Sequence, residues 1–410
     1  MKHLFRFGVL VLLVSLVTTS LKAQHRPIDQ EAKTDYFGIT SMFLYNYRNW
    51  VDADNATRGG LRFNSVRLWA QTELGNKFFA AVQYRFYEGW QTPTHLYIGY
   101  KINDNNILQF GQTWVPFGNG YQPFDDWGNI TYYVGLQDDY DNGITWSGTF
   151  GILHFDAGFF KNQQLASDSP FRYDADIFSG EPGTDYLITQ AKRNEEVNQF
   201  NLRFELQPSG DNWAIKTGIS GMYGQLYNID MDENGDRLAA AIHFDLTLNN
   251  LHFNAQQTWY KYTQVLPQPI IPDPILPVDN KEDMDFINVS SWAFAYEIPS
   301  QTNIFTTSAA YDIIGEKLTI HANYSYLWGG TAQANSQLLT AGVRTIWDSF
   351  EVFAETYYGV NDPQLSGNAS GYGRDANSYD FRFDIRFFYK LKIVSDSSIE
   401  WLKKHLNKKE

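Results

Sequence analysis

The chain has no cysteine, so neither disulfides nor thiolate metal sites contribute to its stability or chemistry. Beyond its first segment no apolar run is long enough to cross a bilayer as a helix, which excludes a bundle of membrane helices. Between Ile102 and Phe160 there is not one lysine or arginine. Histidine is scarce as well. After the first segment come His25, His95, His154, His243, His252, His321 and His405, none in metal-ligand spacing and none beside a nucleophile motif. No carboxylate pair stands out among the 46 acidic residues, so the chain is read as a non-enzyme that needs no cofactor. What the 410 residues hold in surplus is aromatic rings: 30 Phe, 26 Tyr and 12 Trp in a chain of negative mean hydropathy.

The first segment assigns a compartment. Lys2, His3 and Arg6 precede an apolar run from Phe7 to Val17, and Leu21-Lys22-Ala23 ends on a small residue before Gln24. This is the pattern of a secretory signal peptide, and its apolar core is too short for a spanning helix. Cleavage after Ala23 removes three cations and no carboxylate, which takes the formal charge from −14 to −17. Nucleic acid is thereby an unsuitable partner.

Periodicity then sets the fold. From Tyr379 onward, Phe381, Phe383, Ile385, Phe387, Tyr389 and Leu391 alternate with Asp380, Arg382, Asp384 and Arg386. A strand sends every second side chain to one face, so one face meets an apolar medium and the other water. The same period of two runs through Val66–Leu74, Phe78–Tyr87, Leu238–Leu248 and Leu318–Tyr326, with His154, His243 and His321 on the polar side. Strands of about ten residues separated by short turns fit a tilted bilayer crossing, and within lipid such a sheet must close on itself. Aromatic residues near the strand ends (Tyr45 and Tyr47, Tyr84 and Trp90, Tyr97 and Tyr100, Trp259 and Tyr260, Tyr324 and Trp328, Trp347, Tyr357 and Tyr358) are placed as an interfacial girdle would be. The expected fold is therefore all-β: a transmembrane antiparallel β-barrel. Seventeen candidate strands are legible, one off the parity that periplasmic termini require. The collision falls in 286–313, where two candidates, 286–298 and 303–313, compete; sixteen strands are expected, one of the two belonging to an external loop, with eighteen the alternative if a weak strand lies elsewhere. The domain reading is a signal peptide over 1–23, a short periplasmic segment over 24–35, the barrel over 36–393 and a basic tail over 394–410.

Leu61-Arg62-Phe63-Asn64-Ser65-Val66-Arg67-Leu68-Trp69-Ala70, then Gly75-Asn76-Lys77-Phe78 and Val82-Gln83-Tyr84-Arg85-Phe86, together with Leu96–Lys101 and Phe110-Gly111-Gln112-Thr113-Trp114-Val115-Pro116-Phe117-Gly118, resemble the opening strands of the phosphate-selective porin O/P family. Gly143–Phe160 fits as well, and the resemblance covers about residues 60 to 160. It implies a sixteen-stranded homotrimeric porin in the outer membrane of a Gram-negative bacterium, with a loop folded inward to narrow the channel.

The third external connection, Val115 to Asp141, is the candidate for that inward loop. It offers Asp125, Asp126, Trp127, Tyr132, Tyr133, Asp138 and Asp139 to the constriction. Phosphate selection needs cations there, so an acidic, aromatic loop favours cations or neutral solutes such as sugars. The opposing charge comes from the lumen-lining candidates Arg67, Arg85, Arg203, Lys216, Arg382 and Arg386, which can pair with acids on the same wall. Asp230, Asp232, Asn234 and Asp236 match the first half of a calcium loop, but Ala241 stands where the closing Glu belongs. The prolines around Pro267, Pro269, Pro272, Pro274 and Pro277 mark an extended external loop. The function expected is passive diffusion of small hydrophilic solutes through a channel held in outer-membrane lipid. A phosphate- or anion-selective porin and a secreted β protein that binds carbohydrate without transport are the alternatives.

Overall fold

The computed structural model describes residues 36–50, 57–74, 77–120, 129–165, 169, 171–178, 194–265, 286–291, 294–315, 317–330, 334–347, 350–360 and 377–391. The segments expected as signal peptide and basic tail lie outside the described residues.

Twenty strands and one short helix appear among them. β1 (Tyr36–Trp50), β2 (Thr57–Leu74), β3 (Phe78–Tyr87), β4 (Trp90–Asn103), β5 (Asn106–Trp114), β6 (Tyr140–Phe150) and β7 (Leu153–Asn162) follow one another around a wall. The wall continues through β9 (Asn194–Leu206), β11 (Trp213–Asn228), β12 (Glu233–Leu248), β13 (Leu251–Tyr262), β16 (Gln301–Asp312), β17 (Leu318–Gly329), β18 (Ala334–Trp347), β19 (Phe350–Val360) and β20 (Asn377–Leu391). Each pairs antiparallel with the next, and β20 pairs with β1 from Phe37 opposite Leu391 to Trp50 opposite Ser378. Among the described residues the wall is thus a closed ring of sixteen strands, with β10 (Ser209–Gly210) a two-residue extension of one turn. Closure leaves no backbone edge unpaired, as a bilayer demands.

Parity comes out as sixteen because the competing segments separate. Gln301–Asp312 is a wall strand, whereas the segment expected at 286–298 is a hairpin, β14 (Phe286–Ser291) and β15 (Phe294–Pro299), that leaves the wall. It pairs with β8 (Asp176–Ile177) from the connection after β7, giving a small second sheet of three strands. Alternation alone cannot distinguish this hairpin from a crossing strand, because both have one apolar side.

The connections sort by length. At one end of the barrel they are 75–77, 104–105, 151–152, 207–212, 249–250, 313–317 and 348–349; at the other they include 115–139, 163–193, 263–300 and 361–376. This is the asymmetry of outer-membrane barrels.

The two faces of the wall are inverted relative to a water-soluble protein. Ile242 is 58% exposed and its cross-strand partner Ile219 59%, while His243, next to Ile242 on the same strand, is 1% exposed. Leu96, Ile98, Phe110, Phe200, Leu202 and Leu339 point outward as well. Exposed apolar surface of this extent marks lipid as the solvent. Along β17 the outward rings of Tyr324, Tyr326 and Trp328 stack at 6.5 and 5.2 Å, a piece of the expected girdle. Three of its expected members point inward instead: Tyr97, Tyr260 and Tyr357 are buried. Each lies next to an outward residue in the alternation, so counting rings near strand ends could not separate them.

Candidate functional site

The wall is too wide for its own side chains to fill, and folded loops occupy the space. The third loop leaves β5 at Val115 and crosses the interior. The Gly118 amide donates to Ser220 Oγ (2.9 Å) on β11, the Asn119 amide to Gln256 Oε1 (2.7 Å) on β13, and Arg203 Nε on β9 to the Gly118 carbonyl (2.8 Å). Farther along, α1 (Ile130–Tyr133) is capped by Asn129, whose side chain accepts from the Thr131 amide. Its Ile130 amide faces Ser325 Oγ on β17 at 3.4 Å. The loop is therefore inward-folded, as the resemblance implies.

Two further connections join it. Tyr296 on β15 donates its hydroxyl to the Tyr133 carbonyl (2.7 Å), and Tyr262 on β13 donates to that of Val134 (3.2 Å). Ile130, Val134, Leu136, Ile177, Ile287, Val289, Tyr296 and Ile298 form an apolar core against Met222, Leu226, Tyr260, Ile304, Leu327 and Leu338 of the wall. Burying one such aliphatic side chain contributes roughly 1.5–3 kcal/mol, which offsets part of the ordering entropy of the loop segments. The connection between β7 and β9 sends its described stretch 171–178 inward, because β8 finds backbone partners on β14 there.

Between this core and β6 lies a buried polar network. Asp138 accepts from the hydroxyls of Tyr140 (2.8 Å) and Tyr173, and the Tyr173 ring lies 3.6 Å below the guanidinium of Arg85. Asp174 accepts from the Tyr140 amide at 2.8 Å. Arg172 pairs with Asp176 at 3.0 Å. Arg237 donates to the Gly135 carbonyl (2.6 Å) and to Gln199 (2.7 Å), and pairs with Glu196. Gly135 is needed there: its φ is +72°, and a Cβ would come within 2.3 Å of the Ala175 carbonyl oxygen. Burial pushes the carboxyls of Asp138, Asp174 and Asp176 upward. Asp139 is pushed to about 8, by burial first and then by the charge of Asp176.

The candidates from the sequence distribute as follows. Asp138 and Asp139 are buried in this network, Tyr133 in the loop core, and Tyr132 is half-buried against it. Asp125, Asp126 and Trp127 lie outside the described residues. Arg67 and Arg85 stand opposite one another on the inner faces of β2 and β3. Arg203 is held by Asp156 (3.0 Å) and Glu205. Lys216 is exposed on the inner face near the short-turn end, in register with Asp245. For Arg382 and Arg386 the backbone alone is described, opposite Glu355 and Glu351. The lumen histidines pair with acids: His154 with Asp156, His243 with Glu205 and His321 with Glu355 at 2.8–3.2 Å. The calcium-loop match does not assemble, since Asp230 and Asp232 sit in an exposed turn while Asn234 and Asp236 are already in β12. Sequence reasoning missed Arg172, Asp176, Glu196 and Arg237, which come from three segments (171–178, β9 and β12) that only the closed wall brings together.

A closed, lipid-facing barrel narrowed by an inward loop is the fold of the outer-membrane porins. The sequence itself matches no described family and no curated protein. Among solved structures, the anion-selective porin of Comamonas acidovorans has a TM-score of 0.53 at 12% identity, over 86% of this chain and 98% of that one. The outer-membrane protein OmpT of Vibrio cholerae gives 0.51 at 12% identity, over 88% and 99%. OmpF of Salmonella typhi, solved with daunomycin, gives 0.51 at 12% identity, over 86% and 97%. At these identities the likeness is one of fold.

Proposed function

We propose that the protein is an outer-membrane porin through which small hydrophilic solutes diffuse passively. The observation that carries this is the closed sixteen-strand ring, apolar outside and polar inside, with chain folded across its interior. The site has the parts of a filter: a third loop anchored to the opposite wall, and charged side chains on the strands around it. Export after cleavage at Ala23 and residence in a Gram-negative outer membrane belong to the same reading. So does a homotrimer, for which the outer face of β2 to β5 offers a shallow apolar recess lined by Ala70, Ala80, Val82, Leu96, Ile98 and Phe110.

The channel favours cations or neutral solutes such as sugars over phosphate. Supporting this, inner guanidiniums are already engaged: Arg85 by Gln83 and the Tyr173 ring, Arg203 by Asp156 and Glu205, Arg237 by Glu196, and Arg344 by Glu351 at 2.6 Å. A paired guanidinium has little left with which to replace the hydration of a phosphate. The resemblance to the phosphate-selective family over residues 60–160 does not then extend to selectivity.

Single-channel recording in planar bilayers tests both levels. Stepwise conductance is expected, with a reversal potential in a salt gradient of the sign for cations and little block by phosphate. Absence of conductance sinks the channel. An anion-signed potential with phosphate block leaves the channel and moves the selectivity to anions.

A further inference from the structure

The diffusion reading gives no task to one group of side chains. Asp139 ends the third loop, Asp141 is the second residue of β6, and Asp176 lies in β8. One carboxylate oxygen from each lies within 4.8 Å of the other two. All three residues are buried to 2% exposure or less. Two arginines border the group, and both are largely committed. Arg172 holds Asp176 Oδ2 at 3.0 Å, and Arg237, spent on Glu196, Gln199 and Gly135, comes no nearer than 3.9 Å to Asp139 Oδ2.

The oxygens themselves supply a second observation. Neither oxygen of Asp139, nor Oδ1 of Asp141, nor Oδ1 of Asp176 receives a hydrogen bond among the described residues. Asp141 has no ion pair there either, although it is 1% exposed and its carboxylate faces the other two. A buried acceptor left unsatisfied costs about 1–3 kcal/mol, and more when it is charged. Either the three acids share protons or something positive sits among them.

We propose that Asp139, Asp141 and Asp176 bind one hard divalent cation, calcium in preference to magnesium, which ties the third loop and β8 to the start of β6. Donors that are all oxygen select calcium, magnesium or manganese over softer metals. Calcium–oxygen bonds of about 2.3–2.6 Å let ligands stand up to roughly 4.6–5.2 Å apart, whereas magnesium requires a tighter, near-ideal octahedron. The anchors are independent elements, so an ion here fastens two loops to the wall at one point.

The test uses the full barrel refolded in detergent, away from lipopolysaccharide, and stripped with chelator. Calorimetric titration with calcium chloride is expected to show one ion bound per chain, more weakly for magnesium, and calcium is expected to raise the unfolding temperature. Asp141→Asn should weaken calcium uptake at least tenfold. Because it removes a buried like charge, it should unfold in chelator no earlier than the parent. Asp232→Asn, in the exposed turn, should leave uptake unchanged. Heat-modifiable migration reports that each variant is folded, and Asp139→Asn replaces Asp141→Asn if the latter is not. The proposal is overturned if the parent takes up no calcium, if a folded variant at either position binds as the parent does, or if acidification alone reproduces the whole gain in stability.

Discussion

The outside of the wall and the core of the inward loops are built from the same residue types and live in opposite surroundings. Ile219, Ile242 and Leu96 are more than half exposed, whereas Ile130, Ile177 and Ile298 are buried to 1% or less. In the first region the apolar atoms have lipid for a neighbour; in the second they have one another, inside a ring whose wall is polar around them. The difference teaches that composition reports two solvents at once. The aromatic surplus serves both: Tyr324, Tyr326 and Trp328 stack on the outer face, while Tyr260, Tyr262, Tyr296 and Tyr357 are sealed within.

Removing a ring from the inner region gives the largest expected effect. Tyr296→Ala deletes a fully buried aromatic and its bond to the Tyr133 carbonyl. It should cost about 3–5 kcal/mol of loop stability. Hydrogen exchange should quicken in β14 and β15 while the wall amides stay protected; equal protection throughout would show that the two regions do not behave as separate units.

Charge on the outer region comes next. Ile242→Arg should destabilise the barrel in vesicles by roughly 2–4 kcal/mol, the depth-dependent cost of a cation facing lipid. Urea unfolding measures it, and a near-zero effect would mean that Ile242 does not face the bilayer. Smaller still is Trp328→Leu, which removes the ring stacked on Tyr326 and should cost about 0.5–1.5 kcal/mol beyond the lost area. At the bottom of the scale, Asp232→Asn in the exposed turn keeps a residue suited to its φ of +52° and an acceptor for the Tyr227 hydroxyl; it should leave stability nearly unchanged, which the same urea series checks.

Much of the wall was legible because alternation over ten residues is a strong signal: the crossing strands and the polar side of His154, His243 and His321 follow from it, while the count of sixteen follows only once one of the two segments in 286–313 is given to a loop. The interior was less so. An apolar segment of six residues such as Phe286–Ser291 reads the same whether it crosses lipid or pairs with β8, and nothing local in Asp174-Ala175-Asp176 says that it will be pulled inside. Arg237 lies on a strand whose alternation was read only from Leu238 onward, and its partners Glu196 and Asp139 come from two other segments. Such a site exists only in three dimensions. The acidic character of the third loop was visible, but not that Asp138 and Asp139 would turn into a network.

The small sheet joins Asp176 to Ser290 and Ile177 to Val289, residues more than a hundred positions apart. The two connections are therefore fastened to each other as well as to the wall. A cut or deletion in either one is expected to loosen its distant companion, so neither can be trimmed on its own account.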